Sequence, residues 1–598
     1  MIRLPAIFSD GMVITKEARV WGWAKPGTAI TANFMCKQYE ATATEDGRFQ
    51  FTIISAEYGG PHELTVGDKT ISDVYIGKVW LCGGQSNMEQ PLARTRPLLN
   101  AHIKDNPKIR AFHVEKGLRF DGPATDAVGN WQTATGEFLD STFAVPYFFA
   151  QSLDFGKTPI GLINIASGGT PAEAWLPEDI IRTYPDLYMK LEPYKQQGFA
   201  ESQGKNETDR LQDWHNIMQS KDMGLAEGWY LPEYNHSHWE EKMLLDKNGR
   251  PEYGAVWYRK DISVPDNITG PITLSLGRVA ERVQAYVNGE LVAAINYQYP
   301  PCRCVVPEGL IKAGINTIAV RVVGASEKPF FVPGARYELT HKNGNISLLG
   351  PWKRRQGCTM SYIQPMIWPY RIPAGSYNYM LAPVLGYDVD GVIWYQGETN
   401  APNPQGYKAL FGAFISHIRK YYRGDLPVIF TQLPNYVDLT NATGENWAQL
   451  RDEQRQCLEI PGTAMAVTID CGEWNDIHPQ DKKTVGERLA LCAKRLAYGE
   501  DVVCSGPVAN EVVIYNGEMK IYFDNGVGLW AKNGRPVVEV LDSKETVHHF
   551  YAKTECETLT AQIGTIDAQR VRFGWADCPT VVLYNAYGLP ASPFNIPV

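Results

Sequence analysis

Short alternating runs of apolar and polar residues open the chain. Residues 19–23 and 49–54 are two such runs, and both lie beside Pro-Gly or Asp-Gly turn signals. Alternation with a period of two predicts half-buried strands, and glycine and proline between the runs predict turns. We expect residues 1–75 to form a small β-sandwich.

The pattern changes near residue 76, where wholly apolar runs begin to alternate with helical periodicity. Continuous apolar runs that end in glycine are typical of buried strands in a parallel sheet. The stretches 76–214 and 357–500 carry this pattern, and we expect them to form one α/β domain with a mainly parallel sheet. The predicted strands are 79–82, 159–165, 391–395, 427–433 and 464–470, and the predicted helices are 407–423, 447–457 and one that begins at Pro479.

The segment between these stretches, residues 215–356, returns to alternating runs. Residues 256–262, 283–287 and 316–322 have the pattern of strands, and Asn288-Gly289 follows the second of them. Asn-Gly between alternating runs is a strong signal for a β-hairpin. We therefore expect an antiparallel β-sandwich inserted into the α/β domain, and the strand-and-turn pattern of residues 501–598 predicts a C-terminal β-domain.

Composition narrows the classes of function. The chain has 598 residues, too many for one hydrophobic core, and a formal charge of −9. No run of Lys or Arg is dense enough to predict a nucleic-acid partner. The 11 cysteines are thinly spread, which argues against a disulfide scaffold, and their spacing implies no metal site. No cofactor is expected.

The apolar runs also bear on membranes and location. None is long enough to predict insertion into a membrane, and the first residues lack the pattern of a secretory signal peptide. We expect an extracytoplasmic protein, periplasmic or secreted, if a signal peptide has been removed, and a cytoplasmic one otherwise. The sequence leaves the oligomeric state open.

One serine stands directly after a buried strand and a glycine pair. Ser86 follows Gly83-Gly84 at the carboxyl end of strand 79–82, the edge where open α/β sheets bind ligands. Glycine there permits a sharp turn and close approach of a substrate to backbone N–H groups. Two interpretations remain open at this point: a nucleophilic serine, and a serine that caps the following helix.

A nucleophilic serine needs a base, and His478 is placed to supply one. It lies in the turn between a predicted strand and the helix from Pro479, with Asp476 nearby to orient the imidazole. An ordinary loop histidine is the alternative. Two further clusters also follow sheet strands: Gln396 and Glu398 after strand 391–395, and Gly168-Gly169 after strand 159–165.

The carboxyl ends of parallel strands share one edge, so these clusters should converge if the sheet belongs to one domain. Gln396 offers an amide donor to an oxyanion, and the glycine pair offers backbone N–H groups. Glu398 is a candidate brace for its loop or a second acid.

The blocks around these residues resemble the sialate O-acetylesterase family of the SGNH hydrolases. The resemblance rests on four blocks in order and extends to both ends of the chain, through residues 4–13, 84–88, 168–175, 394–398, 476–479 and 583–594. It implies a flavodoxin-like three-layer catalytic domain interrupted by a jelly-roll, sugar-binding-like sandwich and flanked by β-domains.

The resemblance also implies the roles of the site residues. Ser86 is the nucleophile, His478 the base, and the N–H of Ser86, Gly168 or Gly169 and Gln396 supply oxyanion donors, with Glu398 and Asn87 in support. SGNH enzymes commonly place the acid three residues before the histidine, and that position here is Asn475. Asp476 is the first candidate acid and Glu398 the second, and a Ser–His dyad without an acid is the third alternative.

The reaction implied is removal of acetyl groups from a mono-, oligo- or polysaccharide. Acetyl esters on sialic acid, of the 9-O-acetyl type, are the expected substrate, and acetylated xylan or xyloglucan is the alternative. Sialic acid carries a carboxylate, for which Arg94 and Arg96 are candidate clamps. A catalytically inert carbohydrate-binding protein and a lipase or thioesterase are the competing hypotheses.

Overall fold

A computed structural model describes residues 2–153, 155–156, 158–246, 251–297, 300–422, 424–437 and 444–598. By their contacts these residues divide into two compact units. The first comprises residues 1–199, 369–472 and 478–598, and the second comprises residues 200–368 and 473–477. No helix within the described ranges combines the length and the apolar character needed to cross a membrane.

A seven-stranded sheet lies at the centre of the first unit. Six of its strands are parallel, and Gly129–Ala134 pairs antiparallel at one edge. The central strands are buried along their whole length, which agrees with the wholly apolar runs in the sequence. In spatial order the strands are Gly129–Ala134, Asn106–Val114, Ile160–Asn164, Lys78–Gly84, Gly391–Tyr395, Val428–Thr431 and Thr463–Ala466.

Helices connect these strands. Helix Tyr407–Arg419 buries one apolar face, as the sequence predicts, but it ends earlier than the predicted 407–423, whose last residue lies outside the described ranges. The last helix begins at Lys482 rather than at Pro479, because the Asp481 carboxylate accepts from the Thr484 N–H and caps it there. The longer helices are Leu92–Leu99, Ala144–Leu153, Pro185–Leu191, Tyr407–Arg419, Asn446–Gln456 and Lys482–Leu496, and short ones are Ser86–Glu89 and Glu178–Ile181.

Two of the predicted strands are shorter than their apolar runs. The run 464–470 gives only Thr463–Ala466, and the run 427–433 gives only Val428–Thr431. The residues that follow leave the ladder for loop contacts: Thr468 Oγ1, for example, donates to the Gln432 carbonyl 2.5 Å away. Apolar character therefore marks burial here, and it does not mark the end of pairing.

Antiparallel strands make up the rest of the first unit. Near the N-terminus, the sheet Val13–Ile14, Lys69–Ile76, Gly59–Val66, Ala29–Phe34 and Lys37–Thr42 accompanies the pair Glu17–Trp23 and Arg48–Ile54. Near the C-terminus, one sheet contains Val508–Tyr515, Glu518–Asp524, Thr558–Gln562 and Lys553–Glu555, another contains Val547–Tyr551, Val537–Asp542, Ala568–Phe573 and Phe594–Pro597, and Trp530–Lys532 pairs with Val582–Tyr584.

The second unit contains helices Phe199–Lys221 and Met223–Ala226 and two antiparallel sheets around a shared apolar core. Strands Arg282–Val287 and Glu290–Ile295 form the hairpin predicted from Asn288-Gly289, and both turn residues have positive φ, 48° and 90°. The larger sheet contains Glu240–Met243, Pro351–Thr359, Gly254–Val264, Gly314–Gly324 and this hairpin, and the smaller contains Arg303–Val306, Ile272–Leu276, Tyr337–His341 and Gly344–Ser347, with Val279–Ala280 paired to Phe330–Phe331.

Candidate active site

Ser86 is the first residue of the short helix Ser86–Glu89, which follows the central strand Lys78–Gly84. The N-cap position belongs to Gln85, so the interpretation of Ser86 as a helix cap is wrong. Gly84 precedes the turn at φ 139°, and a Cβ there would lie 2.0 Å from the Tyr395 carbonyl oxygen. Glycine is therefore required where two central strands approach, and the sharp turn after it leaves Ser86 half-buried.

His478 lies beside the serine. Its Nε2 is 2.9 Å from Ser86 Oγ, the distance of a hydrogen bond between a nucleophile and its base. Burial is the main cause that lowers the pKa of His478 to about 3, and the charges of Lys482 and Arg94 add to it. The imidazole is therefore neutral near pH 7, with Nε2 able to accept the serine proton.

The glycine pair Gly168-Gly169 follows the neighbouring strand Ile160–Asn164 and lies close to Ser86. A Cβ on Gly168 would lie 3.4 Å from Ser86 Cβ, and Gly169 has φ 75° with the Tyr370 ring against it. Within the described part of the chain, the N–H groups of Ser86, Gly168 and Gly169 donate to no protein oxygen. The structure thus brings three unengaged donors to the vicinity of one serine, as an oxyanion hole requires.

Gln396 is 1% exposed and is held at both ends of its amide. Its Nε2 is 2.7 Å from Asn400 Oδ1 and 3.3 Å from both Gln85 Oε1 and the Thr170 carbonyl, while its Oε1 accepts from the Tyr407 hydroxyl at 2.9 Å. These contacts brace the loops that flank Ser86 and the glycine pair. The role of Gln396 as an oxyanion donor stays a prediction.

Glu398 is buried beside Asn87, the residue that follows Ser86. Its Oε1 accepts from the Asn87 amide, and Asn87 is the only side-chain hydrogen-bonding partner of that carboxylate among the residues described. Burial is the main cause that raises the pKa of Glu398 to about 7. Glu398 is not hydrogen-bonded to His478, so its interpretation as the acid behind the histidine is wrong.

Asp476 occupies a tight loop in the second unit. It forms an isolated β-bridge with Glu473, and its N–H donates to the Glu473 carbonyl at 3.0 Å. Its role as the catalytic acid stays a prediction.

The two arginines named as carboxylate clamps differ in their surroundings. Arg96 is engaged by Asp140, whose Oδ1 lies 2.7 Å from its Nε, and by Asn100, so a substrate carboxylate would have to replace these partners. Arg94 is exposed, has no ion-pair partner in the described ranges, and lies close enough to His478 to lower its pKa.

Sequence comparisons identify relatives of this site. A family model described as carbohydrate esterase, sialic acid-specific acetylesterase, matches residues 374–494, which include Gln396 and His478. Human sialate O-acetylesterase is 21% identical to the chain over 644 aligned positions, which cover 99% of this chain and 88% of the human protein. The chain is similar to sialate O-acetylesterases along almost its whole length. The resemblance of the sequence blocks to the sialate O-acetylesterase family is confirmed.

Other relatives and solved structures extend the comparison. Rat sialate O-acetylesterase is 29% identical over 253 residues, which cover 37% of this chain and 46% of the rat protein, so that match spans about half of the relative. A carbohydrate acetylesterase from Xanthomonas citri is 24% identical, with a TM-score of 0.63 over 100% of this chain and 99% of that one. This likeness shows a shared fold. A second family model, beta-galactosidase second all-beta domain, matches residues 226–327.

Three residues of the site were missed from the sequence. Lys482 donates to Asn87 Oδ1, Tyr370 lies against Gly169, and Gln85 accepts from the Gly397 and Thr399 N–H groups at 3.3 Å. The position of Gln85 directly before the serine was a usable signal. Lys482 and Tyr370 gave none, because their importance depends on contacts between distant parts of the chain.

Proposed function

We propose that this chain is a carbohydrate O-acetylesterase with Ser86 as nucleophile and His478 as general base. The observation that carries the proposal is the 2.9 Å contact between Ser86 Oγ and His478 Nε2 beside three unengaged N–H groups. Nucleophile, base and oxyanion donors are the parts that acyl transfer needs. The competing hypothesis of an inert binding protein gives no reason for these parts to be assembled.

The reaction proceeds in two steps. His478 Nε2 takes the Ser86 proton as Oγ attacks the acetyl carbonyl, and the N–H groups of Ser86, Gly168 and Gly169 stabilise the negative oxygen of the tetrahedral intermediate. The imidazolium returns its proton to the sugar oxygen, which leaves as an alcohol. His478 then removes a proton from water, the resulting nucleophile attacks the acyl-enzyme, and the imidazolium returns that proton to Ser86 Oγ as acetate departs. Asp476 is our first candidate to orient the imidazole.

We propose acetylated sialic acid, of the 9-O-acetyl type, as the substrate. Relatives that align with the chain are named sialate O-acetylesterases. Arg94 supports the proposal, since an exposed guanidinium near His478, with no ion-pair partner among the described residues, suits the carboxylate of a sialic acid. Acetylated xylan or xyloglucan is the alternative substrate. A neutral polysaccharide would not use the charge of Arg94.

We also propose that the catalytic domain has the flavodoxin-like three-layer arrangement. Trp80 shares a sheet face with its partner Gly391, and Trp394 lies on the opposite face because side chains alternate along a strand. Phe149 of helix Ala144–Leu153 packs on Trp80 at 4.9 Å between ring centroids, and Phe414 of helix Tyr407–Arg419 packs on Trp394 at 4.4 Å. These contacts support helices on both faces of the sheet.

Acetate release tests the proposed chemistry. Ser86→Ala should lower kcat on p-nitrophenyl acetate by at least about 10³-fold, as removal of a triad serine does. Ser141→Ala is the matched control, since Ser141 is exposed and donates only to the Phe138 carbonyl. A rate of acetate release that Ser86→Ala leaves unchanged would contradict the proposal.

A panel of acetylated glycans tests the substrate. We expect faster acetate release from 9-O-acetylated sialic acid than from acetylated xylan or xyloglucan. Arg94→Ala should raise KM for the sialic acid by about tenfold, the effect of losing one charged hydrogen bond, and leave kcat/KM on uncharged p-nitrophenyl acetate within about threefold. Preference for xylan or xyloglucan would favour the alternative, and release from none of the glycans would favour a binding protein.

A further inference from the structure

Three buried polar side chains lie behind the nucleophile and come from three separate segments of the chain. Asn87 is 0% exposed, Lys482 1% and Glu398 5%. Asn87 Nδ2 donates to Glu398 Oε1, and Lys482 Nζ donates to Asn87 Oδ1. An amide thus bridges a buried cation and a buried carboxylate.

This arrangement gives the Asn87 amide one orientation. Its nitrogen faces Glu398 and its oxygen faces the ammonium, so the bond to Lys482 is charge-assisted, and the bond to Glu398 is charge-assisted when Glu398 is ionised. A flipped amide would direct its NH₂ group at the Lys482 ammonium and its oxygen at Glu398. Both contacts would be repulsive, so the side chain is fixed by charge as well as by packing.

Burial makes the three groups depend on one another. Burial raises the pKa of Glu398, whereas the Asn87 hydrogen bond and the Lys482 charge lower it. Glu398 Oε2 has no hydrogen-bond partner within the described ranges, so Asn87, the Glu398 backbone N–H and Lys482 are the groups that offset the cost of burying its charge. The side chain of Tyr395, whose ring centroid is 5.5 Å from Lys482 Nζ, adds a further contact to the ammonium.

The bridge joins the segments that carry both proposed catalytic residues. Asn87 directly follows Ser86 in the helix Ser86–Glu89, and Lys482 is the first residue of the helix that begins four residues after His478. We propose that Asn87, held between Glu398 and Lys482, is a positioning residue that fixes the 2.9 Å contact between Ser86 Oγ and His478 Nε2. This inference rests on the proposed function.

A reciprocal exchange of amide and carboxylate tests the bridge. Asn87→Asp places a carboxylate against Glu398, and we expect kcat on p-nitrophenyl acetate to fall about 100-fold with KM within about threefold, as a misplaced nucleophile predicts. In the double variant Asn87→Asp with Glu398→Gln, the carboxylate at position 87 accepts from Lys482 and from the new amide. The double variant should recover kcat to within about tenfold of the wild type.

A second comparison covers the case in which Asn87→Asp does not fold. Lys482→Met removes the cation that donates to Asn87 Oδ1. The matched control is Lys483→Met, because Lys483 is the next residue of the same helix and its side chain pairs with Glu487 instead. We expect Lys482→Met to lower kcat at least about tenfold with KM little changed, and Lys483→Met to leave both constants near the wild-type values.

The outcomes separate this inference from the proposed function. If the wild type does not hydrolyse p-nitrophenyl acetate, or if Ser86→Ala leaves that hydrolysis unchanged, the proposed function is wrong and so is the positioning role. If hydrolysis depends on Ser86 but the double variant is no faster than Asn87→Asp, only the positioning role is overturned. Equal kcat values for Lys482→Met and Lys483→Met would overturn it as well.

Discussion

Gly169 is the position where a single added methyl group should do most damage to the proposed oxyanion hole. Its φ of 75° lies in the left-handed region, and a Cβ would meet two ring carbons of Tyr370 at 2.7 and 3.2 Å and the hydroxyl at 3.3 Å. Contacts under 3.0 Å between carbons are strongly repulsive. Gly169→Ala must therefore move Tyr370 or the glycine turn beside Ser86.

Two separate effects set the size of this change. Holding alanine in the left-handed region costs about 1–2 kcal/mol, and forcing a methyl group into occupied space costs about 1–3 kcal/mol more. We therefore expect the free energy of unfolding to fall by about 2–5 kcal/mol. A shift of about 1 Å in the glycine turn should also lower kcat about 100-fold, because the oxyanion donors lose their alignment.

Urea unfolding and hydrolysis of p-nitrophenyl acetate measure the two effects. Gly386→Ala is the matched control, since Gly386 also has positive φ, 95°, but a Cβ there meets no atom within 4 Å. It should show only the conformational cost and leave kcat unchanged. Gly169→Ala combined with Tyr370→Ala should relieve the steric part and keep the conformational part.

Two results would refute this reasoning. If Gly169→Ala and Gly386→Ala destabilise the protein equally, the Tyr370 ring does not confine the turn. If Gly169→Ala lowers stability but leaves kcat at the wild-type value, the turn is not aligned with the reacting ester, and the glycine pair is not part of the oxyanion hole.

Three further predictions concern charge. Because the pKa of His478 is lowered to about 3, the base stays neutral on acidification, and the acidic limb of kcat/KM should lie well below the ordinary histidine value of about 6.5; a limb near 6.5 would contradict this. His478 binds a proton below about pH 6.5 in the unfolded chain but only near pH 3 in the folded chain. The free energy of unfolding should therefore fall as the pH drops from about 6.5 to about 3, and it should fall less in His478→Asn. In the second unit, the Asp222 carboxylate lies 2.7 Å from Nε of the buried Arg321, and Asp222→Ala leaves that guanidinium without it. Urea unfolding should show that Asp222→Ala lowers the free energy of unfolding by about 3–5 kcal/mol. Asp261→Ala, at an exposed position, should lower it by less than about 1 kcal/mol.

The sequence predicted the convergence of the site because that convergence follows from sheet geometry. Ile160–Asn164, Lys78–Gly84 and Gly391–Tyr395 are neighbours in the sheet, so their carboxyl ends meet at one edge. The glycine pair, the serine and the Gln396 loop each follow one of these ends. Strand boundaries were less predictable: the apolar run 464–470 pairs only as Thr463–Ala466, since apolar residues that leave a sheet stay buried in loops.

Side-chain partnerships could not be predicted in the same way. Lys482 is a buried ammonium at the first position of a helix, where sequence alone favours an exposed lysine, and only the fold brings Asn87 to it. Tyr370 lies in the short 3-10 helix Pro369–Arg371, far in sequence from Gly169, which its ring contacts. Contacts of this kind depend on the whole topology, and no local pattern encodes them.

The contacts of Gln396 bear on how the oxyanion donors are divided between backbone and side chains. Its Nε2 has two hydrogens and three oxygens within 3.3 Å, all of them protein oxygens. A substrate oxyanion would have to replace one of these partners, whereas the N–H groups of Ser86, Gly168 and Gly169 have none to replace. Donors that need no reorganisation stabilise a developing charge most effectively. The geometry therefore favours an oxyanion hole made of backbone N–H groups. Gln396 instead links Gln85, the residue before Ser86, with Thr170, the residue after Gly169.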